Sequence, residues 1–222
     1  MRLLDDLCVY PWMSMQQNNA NAIFIDGEVP TLIDPGHTEL FSHVIQGTAQ
    51  DGINLDRIKL VVCTHGHPDH MEAAGRFDTG VVKAIGRQEY EYLQGGGKEL
   101  FMMTGCQMPK TPFQLLLNEG SLNLGKKRFK ILCTPGHSPG SICLYWEDGK
   151  VLISGDTLFY QGVGRTDLPG GNVHQLAESI AGLARLDVEY LVPGHGEIVK
   201  GKKSIEKNFS MILREFFSMN SM

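Results

Sequence analysis

Short apolar runs alternate along the chain with longer segments whose apolar positions recur at three- and four-residue steps. The runs at 22–25, 31–33, 60–63, 81–85, 129–133, 141–145, 151–154 and 191–192 are bounded by turn residues, which predicts strands. Helical periodicity marks 39–50, 71–76, 87–93, 173–186 and 202–217, the last through Ile205, Phe209, Ile212 and Phe216. That stripe suits packing on the chain's own core or a dimer face. Strands interleaved with helices predict a layered α/β domain. Turn signals such as Asp34-Pro35-Gly36, Pro135-Gly136 and Pro193-Gly194 punctuate the strand ends, several beside a histidine or carboxylate. Layered α/β folds build their sites at such strand ends. The pattern fails between 94 and 112, QGGGKELFMMTGCQMPKTP, where three consecutive glycines predict a mobile loop, either a lid or a plain surface connection. Met102 and Met103 are its candidates for lining a pocket.

A length of 222 residues suits one domain spanning 1–222, and 42% hydrophobic with 20% charged residues excludes a disordered chain. No apolar run is long enough to span a membrane, and the opening MRLLDDLCVYPWM lacks the basic and apolar regions of a signal peptide. A cytoplasmic protein, monomer or homodimer, with no membrane association is expected. The net charge of −5 argues against nucleic acid as a partner, and the one basic run, Lys126-Lys127-Arg128 with Lys130, is expected to be a solvated strand start. Five scattered cysteines without CxxC spacing argue against a disulfide framework or a thiolate zinc site.

The chemistry concentrates at 64–70, THGHPDH, directly after a strand. His65 and His67, two apart in extended chain, leave on the same side and can grip one ion. Pro68 then forces a turn, so Asp69 and His70 point elsewhere, which suggests two adjoining metal pockets. Three later residues follow the same plan of strand, small-residue turn and ligand: His137 in CTPGHSPGS, Asp156 in ISGDTLF and His195 in VPGHGE. Five imidazoles and two carboxylates exceed the needs of one tetrahedral zinc and suit two divalent ions sharing a carboxylate, with Asp156 the natural bridge. Zinc comes first, with iron or manganese as alternatives.

The order THxHxDH, PGHSPGS, GDTLF, PGHG resembles the metallo-β-lactamase-fold superfamily, and GVGRTDLPGG resembles its glyoxalase II-like and persulfide dioxygenase-like branches. The resemblance spans roughly residues 20–200. It implies an α/β fold of α+β layered kind, a four-layer αββα sandwich with the site along one sheet edge. It also implies that His65, His67 and His137 hold one metal, that Asp69, His70 and His195 hold the other, and that Asp156 bridges. Asp34 in LIDPGH matches the family aspartate that orients a ligand histidine. His37 has no role and reads as a turn histidine.

The expected activity is that of a hydroxyacylglutathione hydrolase-like enzyme. It would cleave a thioester of glutathione or another thiol with hydroxide held between two ions and positioned by Asp69 and Asp156. Arg165 occupies the family position of a basic residue reaching towards the thiol part of the substrate; an ion pair with Asp167 is the competing role. Only 27 residues follow His195, where longer glyoxalase II enzymes carry a helical extension that helps hold glutathione, so the thiol carrier stays open. The alternative activity is a persulfide dioxygenase with one iron on His65, His137 and Asp156.

Overall fold

The computed structural model describes residues 1–14, 16–78, 80–110 and 112–217, so Thr111, within the irregular segment, lies outside the described residues. The first sheet is built in chain order from β1 (Arg2–Leu4), β2 (Leu7–Tyr10), β3 (Ala22–Ile25), β4 (Thr31–Ile33), β5 (Leu60–Cys63), β6 (Val82–Gly86) and β7 (Leu115–Leu117). It is antiparallel from β1 to β4 and parallel from β4 to β7. The second sheet contains β8 (Gly120–Leu124), β9 (Lys127–Cys133), β10 (Ile142–Trp146) and β11 (Val151–Gly155). After a small hairpin of β12 (Leu158–Phe159) and β13 (Gly162–Val163), β14 (Tyr190–Pro193) and β15 (Val199–Lys200) complete it in the order β15-β14-β11-β10-β9-β8. The helices are α1 (Ser42–Gln50), α2 (Pro68–Met71), α3 (Arg87–Gln94), α4 (Lys98–Thr104), α5 (Val173–Leu183) and α6 (Lys202–Ile212). Among the described residues no helix is long and apolar enough to cross a membrane.

Strand periodicity of two sorts these side chains into layers. Leu7, Val9, Ile23, Ile25, Leu60 and Val62 of the first sheet meet Phe129, Ile131, Ile142, Leu144, Val151 and Ile153 of the second in one buried core between the sheets. The alternate residues, Cys8, Phe24, Val61 and Cys63, face outward onto Val44 of α1, Met71 of α2, Leu93 of α3 and Phe101 of α4. On the far side Cys143, Tyr145 and Leu152 pack against Leu176, Ile180 and Leu183 of α5 and Ile205, Phe209 and Ile212 of α6. This is the αββα sandwich. Strands covered on both faces read as continuous apolar runs, which is why the central ones are legible in the sequence. Each side chain buried from α6 is worth about 1.5–3 kcal/mol, so that helix is spent on its own sheet. The helix continues as a π-helical turn over Leu213–Phe217, where Phe216 stays exposed.

The structure departs from the sequence reading in three places. Strands β1, β2, β7, β8, β12, β13 and β15 were not foreseen: most are only two to four residues long, and β8 is an edge strand with three of its five residues exposed. The segment 94–112 is not loop throughout, because α4 forms there and buries Phe101 against the first sheet. Met102 and Met103 point to solvent at 73% and 72% exposure and do not line the cleft described below; Leu100 and Thr104 of the same helix do. The basic run is a strand start whose charges are answered locally, with Lys127 paired to Asp6 and Lys130 to Glu147.

Candidate metal centre

The ends of β5, β9, β11 and β14 converge on one rim of the sandwich. Past β5, Thr64 to His67 run on as a loop, and His67, in extended conformation, occupies the cap position of α2 with Pro68 as its first residue. Proline is suited there because its φ is preset and its missing N–H would be unpaired anyway. After that turn Asp69 and His70 gather with His195, although the His70 ring still lies beside that of His65 with 4.1 Å between centroids. His137, Asp156 and His195 arrive from the second sheet.

The seven side chains form two trios joined by one carboxylate. His137 Nε2 lies 3.2 Å from His65 Nε2 and 2.9 Å from His67 Nδ1. In the other trio His195 Nε2 lies 3.1 Å from His70 Nε2 and 3.2 Å from Asp69 Oδ2. Asp156 Oδ2 reaches both, at 3.5 Å from His137 Nε2 and 3.4 Å from His195 Nε2. Its Oδ1 is buried and lacks any hydrogen bond, although it lies 3.2 Å from His70 Nε2. Six of the seven residues are buried, and the His195 side chain, 24% exposed, marks the open side.

Outer hydrogen bonds decide where the ring protons sit. His137 Nδ1 lies 2.7 Å from the Arg165 carbonyl, which can only accept, so Nδ1 carries the proton and Nε2 presents a lone pair inward. Thr64 Oγ1 donates to Asp34 Oδ2 at 2.7 Å and therefore accepts from His65 Nδ1 at 3.1 Å. His65 Nε2 is then also a bare lone pair. Two lone pairs facing at 3.2 Å repel unless a cation lies between them, and the buried, unbonded Asp156 Oδ1 asks for the same partner. The residues present therefore fit divalent metal ions.

The electrostatics agree. Burial and the neighbouring imidazoles hold His65 well below the usual histidine range, and burial with His137 lowers His67 to about 3, so both are neutral donors at physiological pH. Burial would also discharge His70, but Asp156, Asp34 and Asp69 raise it well above the ordinary value, and His195 is raised to about 9 chiefly by Asp156 against the same burial. Burial opposes the charge of Asp69 and Asp156, yet His70 and His195 keep both ionised. The negative field that retains protons on two imidazoles is one a metal ion would answer instead.

Asp34, buried at the end of β4, accepts from the Thr64 N–H at 2.8 Å, the Thr64 hydroxyl and His70 Nδ1 at 2.9 Å. One carboxylate thus orients a histidine in each trio. Asp34→Ala is expected to lower metal affinity about 10–100-fold while the ligating side chains remain, measured by competition with a chromophoric chelator. Unchanged affinity would remove Asp34 from the site.

Several supporting residues escaped the sequence reading. Glu89 of α3 is buried, with burial raising its pKa, and accepts at 2.8 Å from the Gly66 N–H, the Gly140 N–H and the Ser138 hydroxyl. It ties the His65–His67 loop to the His137 loop. Gly140 must be glycine, since a Cβ there would strike the Glu89 backbone. Asn21 donates to the carbonyls of Pro193 and Gly196 on either side of His195, and Asn18 donates to Asp69 Oδ2. Nothing local distinguishes a glutamate in RQEYEY or the asparagines of NNAN from solvated helix and loop residues.

The centre floors a cleft of about 720 Å³ whose walls include His37, Leu100, Cys106, Phe159, Arg165 and Leu168. Arg165 makes the two-pronged pair with Asp167, at 2.7 and 2.8 Å, that was its competing role, and it is also among the residues lining the cleft. A second concavity, near Arg57 and Arg76, gathers no comparable ligand set among the described residues.

A sequence model of the metallo-beta-lactamase superfamily matches residues 16–195. A probable metallo-hydrolase of Methanocaldococcus jannaschii is 34% identical over 187 residues, covering 81% of this chain and 89% of that protein. The hydroxyacylglutathione hydrolase GloC of Haemophilus influenzae is 33% identical over 187 residues, 81% of this chain and 86% of the relative. Among solved structures, TTHA1623 in a di-iron-bound form superposes with a TM-score of 0.72 at 29% identity, covering 93% of this chain and 98% of the other.

Proposed function

Because the chain belongs to the metallo-β-lactamase superfamily, we propose that it is a metallo-hydrolase that cleaves thioesters of the hydroxyacylglutathione kind. His65, His67 and His137 hold one ion, Asp69, His70 and His195 hold a second, and Asp156 lies between. The observation that carries this reading is the reach of Asp156 Oδ2 to both trios, at 3.5 and 3.4 Å. Two divalent ions bound there supply an acidified water and a Lewis acid for the substrate carbonyl. A donor set of nitrogen and oxygen alone suits zinc, iron or manganese.

The protein's own groups do the rest. Asp69, with its Oδ2 held by Asn18, and Asp156 are ionised carboxylates that would orient the attacking water. Leu100, Phe159 and Leu168 give the cleft apolar walls for the acyl group. Arg165 offers a cation at the rim to a carboxylate-bearing thiol such as glutathione. The relationship to GloC supports that choice of thiol. A single iron on His65, His137 and Asp156 would leave Asp69, His70 and His195, gathered as closely as the first trio, without a role.

The test is hydrolysis of a 2-hydroxyacyl thioester of glutathione by metal-replete protein, followed by thiol release. Turnover that a chelator abolishes supports the reading; no thiol release, with oxygen uptake on a persulfide, overturns it. In the same assay Arg165→Ala is expected to raise KM about 10-fold with kcat little changed, the signature of lost ground-state binding. The backbone carbonyl that orients His137 survives that substitution. An unchanged KM would confine Arg165 to its pair with Asp167.

A further inference from the structure

A second group of potential ligands lies in the wall of the cleft, outside the seven residues above. His37 follows β4 in the Asp34-Pro35-Gly36-His37 turn, Glu72 follows α2, and Cys106 follows α4. Gly105, left-handed at φ 71°, ends α4 and turns the chain so that Cys106 comes back over His37. Cys106 Sγ lies 3.8 Å from His37 Nδ1, which lies 3.1 Å from Glu72 Oε2, and the three ligand atoms fall within 4.8 Å of one another.

We propose that His37, Glu72 and Cys106 form a separate zinc-binding site in the cleft wall. With Zn–S of about 2.3 Å and Zn–N and Zn–O of about 2.0–2.2 Å, a tetrahedral zinc sets its ligands about 3.4–3.6 Å apart. The two observed separations bracket that span. The carboxylate is positioned in advance, because the Thr38 N–H donates to Oε2 at 3.1 Å and the Gln107 N–H to Oε1 at 2.9 Å. Such outer hydrogen bonds are what metal-ligating carboxylates use. The fourth position opens into the cleft, since both His37 and Cys106 line it. Sulfur distinguishes this trio from the His and Asp cluster and favours zinc over the iron or manganese that cluster also suits. On binding, the Cys106 thiol proton passes to solvent and the His37 ring proton shifts from Nδ1 to Nε2, leaving Nδ1 free to ligate.

The probe is cobalt(II), added to the chelator-treated full-length protein. A sulfur-to-cobalt charge-transfer band in the near ultraviolet is expected, growing to one equivalent per chain. Cys106→Ser should lose it but keep the visible absorption of cobalt on the His and Asp cluster. That cluster has no thiolate, so this readout is independent of whether the protein hydrolyses thioesters. In the unmutated protein, zinc should slow alkylation of Cys106 by iodoacetamide about tenfold or more, because the thiolate is the nucleophile. His37→Gln should cancel that protection. Absence of the band, a band that survives Cys106→Ser, or alkylation indifferent to zinc would each overturn the proposal.

Discussion

Asp156→Ala is expected to lower kcat by about 10³-fold or more and to reduce bound metal in the same preparation. The carboxylate stands at the junction of two trios, within 3.5 Å of both His137 and His195. Without it the imidazoles on either side lose their shared counter-charge. Asp156 is also foremost among the groups that raise His70 and His195, so those rings lose much of the field that now holds a cation there. Asp156→Asn tests the charge with little change of shape. It should fold, retain the geometry and remain nearly inactive, as judged by a thermal melt beside the rate and elemental analysis. Full activity and full metal content in either variant would break the account at its centre.

Glu89→Ala is expected to destabilise the protein by about 3–5 kcal/mol, measured by urea denaturation, because it strands two buried N–H donors and leaves the Ser138 hydroxyl with Ser141 alone. Those donors sit on the loops of His65–His67 and of His137, so the site should loosen with the fold and bind metal more weakly. Glu89→Gln should be milder: its amide oxygen can still serve Ser138 and Gly140, while its NH₂ meets the Gly66 N–H, donor against donor. The pH profile separates charge from hydrogen bonding. Burial gives Glu89 a raised pKa in the folded state, so its stabilising contribution is complete below the ordinary glutamate value of about 4.3 and declines as pH rises through the folded one. The Gln variant should lack that decline. A variant as stable as the parent would show that Glu89 is not the tie between the loops.

The central strands and the seven converging side chains were legible because each leaves a local mark. A strand buried on both faces is an unbroken apolar run, and His137, Asp156 and His195 each follow such a run by one small-residue turn. Pro68 even announced the change of direction between His67 and Asp69. What escaped is set by contacts remote in sequence. Glu89 meets loops 23 and 51 residues away, and nothing in its neighbours distinguishes it from a solvated helix residue. The path from Asp34 through Thr64 to His65 depends on a threonine that reads only as the residue following the strand. Helix α4 was hidden by the three glycines before it, though Phe101 holds it to the sheet. His37 read as a turn residue until Glu72 and Cys106 were brought beside it.

The most direct test of the central claim is the metal content of protein purified without added chelator or metal, set against protein concentration by elemental analysis. Two trios sharing Asp156 predict about two divalent ions per chain at that cluster, falling together in Asp156→Ala. In Cys106→Ser, which removes any contribution from the cleft-wall site, the count should still be about two. One ion per chain in that variant, undiminished by loss of Asp69, His70 or His195, would contradict a dinuclear centre and the hydrolase built on it.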